Sequence, residues 1–164
     1  MKVDYSKKEI YEKDLKKVSQ VLKSGWLTHG KFTEEFEKEF CKYTRSKYCV
    51  TVSSCTAGLH LSCIVAGFKK GDEVIVPSMT HVATAHAVEH TGAKAIIADV
   101  DFETGNIDII NIKKNISSKT KGIIIVHMAG LPCDMKNIIK LCKRKKITLI
   151  EDCAHGLGST YKKK

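Results

Sequence analysis

Val52-Ser53-Ser54-Cys55-Thr56-Ala57-Gly58-Leu59 runs from an apolar stretch into a helical pattern, and its small residues let main chain approach an anion closely. Free N–H groups at a helix N-terminus, aided by the Thr56 hydroxyl, can hold a phosphate. Ser and Thr are also the usual N-caps, and read alone the segment has that commoner meaning. Glu151-Asp152-Cys153-Ala154-His155 closes the last apolar run. An acid there can face a ligand or cap the adjoining segment. Set against the nitrogen of a pyridine ring, a carboxylate keeps that nitrogen protonated, and the ring then serves as an electron sink. Pro77-Ser78-Met79-Thr80-His81-Val82-Ala83-Thr84 is a further turn of this kind, in which His81 can lie flat against an aromatic ring. A lone histidine is more often a surface or satisfied core residue, and the same holds for His127 and His60. His86-Ala87-Val88-Glu89-His90 spells the H-x-x-E-H metalloprotease pattern, with two imidazoles one helical turn apart. Five residues match easily by chance, and the sequence shows no third ligand.

These segments need a frame that gathers strand ends. Short apolar strands are expected at 48–52, 73–76, 95–99, 122–127 and 147–151, alternating with helices at 57–67, 81–91, 109–116 and 135–145. That alternation is the mark of an α/β fold. The apolar runs Ile96-Ile97-Ala98 and Ile123-Ile124-Ile125-Val126 read as strands covered on both faces, so the sheet should be parallel or mostly so. Ligands in such sheets collect at the carboxyl ends of the strands. Upstream, Leu15, Val18, Val21 and Leu22 repeat helically between Tyr11 and Ser24. A second helix is expected from an N-cap at Thr33, with Phe36, Phe40 and Tyr43 as a core stripe. The domain division expected is a helical segment over 1–46 and a partial α/β large domain over 47–164.

The chain has 164 residues, 43% of them hydrophobic and 28% charged, the composition of an ordinary globular protein. Its formal charge of +10 is spread over lysine pairs at helix faces and turns, which reads as solvated surface rather than a nucleic-acid patch. The seven cysteines include no C-x-x-C pair and suit reduced, buried thiols in a cytoplasmic protein. No secretory signal follows Met1, and no apolar run reaches the ~20 residues that span a membrane.

Taken in order, six segments resemble the DegT/DnrJ/StrS family of sugar aminotransferases: Ser24-Gly25-Trp26-Leu27-Thr28, Ser54-Cys55-Thr56-Ala57, Gly71-Asp72-Glu73-Val74-Ile75-Val76-Pro77-Ser78, Ala98-Asp99-Val100-Asp101, Val126-His127-Met128-Ala129-Gly130 and Glu151-Asp152-Cys153-Ala154-His155. They cover nearly all of the chain from about residue 20. The resemblance implies the type I fold of enzymes dependent on pyridoxal 5'-phosphate (PLP), with a mostly parallel sheet flanked by helices. It implies that Cys55 and Thr56 bind the cofactor phosphate, that His81 stacks on the ring, that Asp152 pairs with the ring nitrogen and that His155 lies near the ring hydroxyl. Cys55 stands where the family most often has glycine, and His81 where a larger aromatic residue is frequent.

The activity so implied is transfer of an amino group, from glutamate, to a keto group of a nucleotide-linked sugar, in a homodimer and for amino-sugar and polysaccharide biosynthesis. The family's Schiff-base lysine belongs to a serine-rich segment downstream of Asp152. None of Lys162, Lys163 and Lys164 has that context. The expectation is therefore a chain that lacks this lysine and the small C-terminal domain and is inactive alone. Relatives in which histidine replaces the lysine are sugar dehydratases, and a non-catalytic binding or regulatory fragment is a third possibility.

Overall fold

The computed structural model describes residues 9–162. The chain divides at Thr51/Val52 into a helical unit and an α/β unit.

The helical unit holds α1 (Glu12–Lys23) and α2 (Lys31–Thr44). Tyr11 donates its N–H to Asp14 Oδ2 at 2.9 Å, which fixes the start of α1. The cap expected at Thr33 is corrected: it lies three residues earlier, at an extended Gly30 whose carbonyl accepts the Glu34 N–H at 3.0 Å. The expected core stripe is corrected too, because Phe36 and Tyr43 are 55% and 66% exposed. Helical spacing aligns side chains on one face, but what covers that face is a tertiary matter.

The strand expected at 48–52 does not form. A strand requires a ladder partner, and among the described residues this segment has none; Thr51 instead gives its N–H and its hydroxyl to Glu37 Oε1, at 2.7 and 2.9 Å.

In the α/β unit α3 (Cys55–Val65) precedes β1 (Glu73–Pro77), α4 (Ala83–Glu89), β2 (Lys94–Ala98), α5 (Ile109–Asn115), β3 (Thr120–Val126), α6 (Met135–Lys145) and β4 (Thr148–Asp152). The strands form one sheet in the order β2-β1-β3-β4, and every pair is parallel. Alternation along the strands divides the core in two. Val74, Val76 and Ile124 pack with Leu59 and Cys63 of α3 and Ala87 and Val88 of α4. Ile75, Ile123 and Ile125 pack with Ile112 of α5 and Ile138 and Leu141 of α6. Both faces of β3 are therefore covered, as its unbroken apolar run implies. The same expectation fails for β2, where Ile97 is 64% exposed, because β2 lies at the edge of the sheet.

This connectivity fixes where a ligand can sit. From β1 the chain crosses through α4 to β2 on one side, whereas from β3 it crosses through α6 to β4 on the other. The two connections leave adjacent strands in opposite directions, which opens a crevice outside their carboxyl ends.

Candidate functional site

The crevice is bounded by the turn after β1, the turn after β3, the end of β4 and the start of α3. Asp152 is the last residue of β4 and only 7% exposed. Its parity along the strand decides its direction. Leu149 packs on the α5/α6 core and Ile150 on the α3/α4 core, so Glu151 follows Leu149 and Asp152 follows Ile150. Asp152 thereby meets α3: Cys55 Sγ donates to its Oδ1 at 3.6 Å, and the Ala154 N–H donates to the same oxygen at 3.0 Å.

At the start of α3 the Ser54 hydroxyl accepts the Ala57 N–H at 3.1 Å, and the Ser54 carbonyl accepts the Gly58 N–H. Ser54 is the cap, and the helix begins at Cys55 rather than at the expected residue 57. Within the described residues, the N–H groups of Cys55 and Thr56 and the Thr56 hydroxyl take no partner. These exposed donors suit an anion.

His81 lies in the turn between β1 and α4, not inside the helix as expected; its Nδ1 accepts the Ala83 N–H at 3.1 Å. β1 and β4 are two strand spacings apart, about 10 Å, with β3 between them. The structure thus brings Cys55 and Asp152 into contact and puts His81 at the same sheet edge without contact to either. Thr56 is exposed in the first turn of α3. His155 is exposed in the loop after β4, and its carbonyl lies against Gly130 of the loop after β3.

Two features of this edge escape sequence reasoning. Asn106, 5% exposed, accepts the Met128 N–H at 3.0 Å and donates to the Leu131 carbonyl at 3.0 Å, which clamps the loop after β3. Glu151, facing away from Asp152, meets His127 Nε2 at 3.3 Å. Contacts with Cys133, Cys153 and Glu151 push the His127 imidazole up, to about 11, while burial pulls it down. Yet the Cys133 N–H points at Nδ1 at 3.2 Å, and the Cys133 thiol already donates to the Val126 carbonyl. A ring accepting at Nδ1 carries its proton on Nε2, so the main-chain contact favours the neutral tautomer. The donor atoms of His127, Glu151 and Cys153 lie within 4.8 Å of one another. With that proton in place the ring offers no lone pair to a cation, and the pair is better described as an anchor for the loop.

Burial, then the Asp152 charge, push the Cys55 thiol up. Asp152→Asn is expected to lower it again and so speed alkylation of Cys55 severalfold at mildly alkaline pH. Pulse labelling with iodoacetamide, read by mass spectrometry against the exposed Cys153, checks this. A separate groove between α5 and α6, lined by Lys113, Lys140 and Arg144, contains none of the site residues. No helix among the described residues is long and apolar enough to cross a membrane.

Residues 8–164 match the model of the DegT/DnrJ/EryC1/StrS aminotransferase family. GDP-perosamine synthase of Escherichia coli O157:H7 is 40% identical, over 93% of this chain and 42% of its own length. Among solved structures, the aminotransferase from Psychrobacter cryohalolentis superposes with a TM-score of 0.89 at 37% identity, over 93% of this chain and 39% of that one. NtdA from Bacillus subtilis with bound cofactor PMP gives a TM-score of 0.85 at 35% identity, over 89% and 34%. The chain spans about two-fifths of the length of the curated relatives it matches.

Proposed function

This chain belongs to the DegT/DnrJ/EryC1/StrS aminotransferase family, and on that footing we propose that it supplies the cofactor-gripping part of a PLP-dependent enzyme that moves an amino group onto a nucleotide-linked keto-sugar. The observation that carries the reading is the meeting of a buried carboxylate, Asp152, with a helix start whose Cys55 and Thr56 N–H groups are unspent. A phosphate and a basic ring nitrogen on one small molecule would satisfy both at once. When bound, PLP supplies an electron sink for carbon–nitrogen bond exchange.

The chain's own residues divide the work of holding it. The start of α3 orients the phosphate, with the Thr56 hydroxyl as a further donor. Asp152 holds a proton on the ring nitrogen by its charge in a half-dry setting. The Cys55 thiol, now donating to Asp152, gives up that contact to the ring. His81, fixed through Nδ1 by the Ala83 N–H, covers one face of the ring, and His155 lies toward its hydroxyl. Glutamate as donor, a homodimeric enzyme and a cytoplasmic setting belong to the same proposal, as does a separate small domain.

The test uses the enzyme that includes this chain, loaded with PLP and given glutamate with a panel of nucleotide-linked keto-sugars. Formation of 2-oxoglutarate and an amino sugar is the expected result. A loaded enzyme that releases no 2-oxoglutarate with any of them overturns the aminotransferase reading. The 164-residue chain by itself is expected to bind pyridoxamine phosphate.

A further inference from the structure

The fold gathers three imidazoles that the cofactor site does not use. His86 and His90 lie one turn apart at the end of α4, where the His90 N–H bonds to the His86 carbonyl at 2.9 Å. Their ring centres are 6.0 Å apart. Packing of α3 against α4 adds His60, whose ring centre is 5.6 Å from that of His90. This is the third ligand that H-x-x-E-H lacks in the sequence. The rings are tilted by 58° and 56° rather than stacked. Among the described residues none of the three takes a hydrogen bond, whereas His81 and His127 are both engaged by main chain.

We propose that His60, His86 and His90 form a three-imidazole site for a divalent transition cation, with water completing the coordination. Two imidazoles held by one tetrahedral cation at a metal–nitrogen distance of about 2 Å have ring centres about 5 Å apart. The His60–His90 and His86–His90 separations exceed that by about 1 Å or less, and the exposed His86 and His90 can rotate toward the half-buried His60. An all-imidazole set selects zinc, copper or nickel over magnesium or calcium. The site binds but does not hydrolyse. The Glu89 carboxylate that a metalloprotease would use as its base instead accepts the Ala95 N–H at 2.8 Å, where β2 begins. His86 and His90 occupy the end of α4 opposite the His81 turn, so the site stands or falls independently of the cofactor reading.

Thiolates compete for zinc, so accessible thiols among the chain's seven free cysteines are first blocked with N-ethylmaleimide. Calorimetric titration with zinc chloride is then expected to show one saturable site. His90→Gln and His60→Gln should each weaken it at least about tenfold, the lower end of what disturbing a metal site costs. His29→Gln, in the helical unit, should leave it unchanged. Wild-type chain without saturable binding, or a His60→Gln or His90→Gln variant that holds zinc as tightly as wild type, overturns the proposal. Melting curves verify that the variants at half-buried His60 and exposed His90 fold.

Discussion

Gly122→Val is expected to abolish the cooperative unfolding transition of the α/β unit. Gly122 lies in β3 two residues before Ile124 and shares its parity, so it faces the α3/α4 core. A Cβ built there meets Phe68 Cε1 and Cε2 at 2.9 Å and Cζ closer still. Phe68 is 5% exposed and walled in by Val74, Val76 and Ile124, so its ring cannot swing away. Overpacking a core costs about 1–3 kcal/mol per added group, and more where neighbours are rigid. Total stability is on the order of 5–15 kcal/mol, so a branched side chain at this position removes much of it. Gly122→Ala should lower the melting temperature by several degrees, about 4 °C for each kcal/mol in a unit of this size. Phe68→Leu combined with Gly122→Ala should recover part of the loss, because the shorter side chain vacates the volume the methyl needs. Thermal melts followed by circular dichroism decide it. A Gly122→Val chain that melts like wild type would mean that Phe68 does not fill this space.

Asp152→Ala is expected to weaken binding of pyridoxamine phosphate about 100-fold, equivalent to roughly 3 kcal/mol for removing one member of a buried charge pair. Pyridoxamine phosphate is the probe of choice because it lacks the aldehyde that surface lysines would capture. Equilibrium dialysis at raised sodium chloride screens non-specific attraction to a chain of net charge +10 without competing for a phosphate site. Glu151→Gln supplies the contrast: one residue earlier on the same strand, it should leave the affinity within about twofold, because its side chain faces His127 on the opposite side of the sheet. Equal losses in the two variants would count against Asp152 as the partner of the ring.

That contrast also shows where the sequence stops being legible. The run Ile123-Ile124-Ile125-Val126 announces a strand buried on both faces, because only a central position tolerates unbroken apolarity. Ile96-Ile97-Ala98 looks the same, yet β2 is an edge strand, and edge position belongs to topology rather than to local pattern. Residues 48–52 have strand-like composition but, among the described residues, no strand to pair with. The types and order of the residues proposed for the cofactor, Cys55, Thr56, His81, Asp152 and His155, are plain in the sequence. The contact between Cys55 and Asp152, 97 positions apart, was not, since it depends on which face of the sheet α3 covers. The same limit hid His60 from His86 and His90, which meet only because two helices pack. Asn106 gave no signal, because a loop clamp is defined by the carbonyl and N–H it reaches.

Among the described residues β4 is hydrogen-bonded on one side only, to β3, and the carboxylate proposed for the ring sits at its tip. The most demanding side chain of the crevice therefore rides on an edge strand of the sheet. Any polypeptide that docked alongside β4 would stiffen that tip, so completing the sheet and tuning the acid would be one physical event.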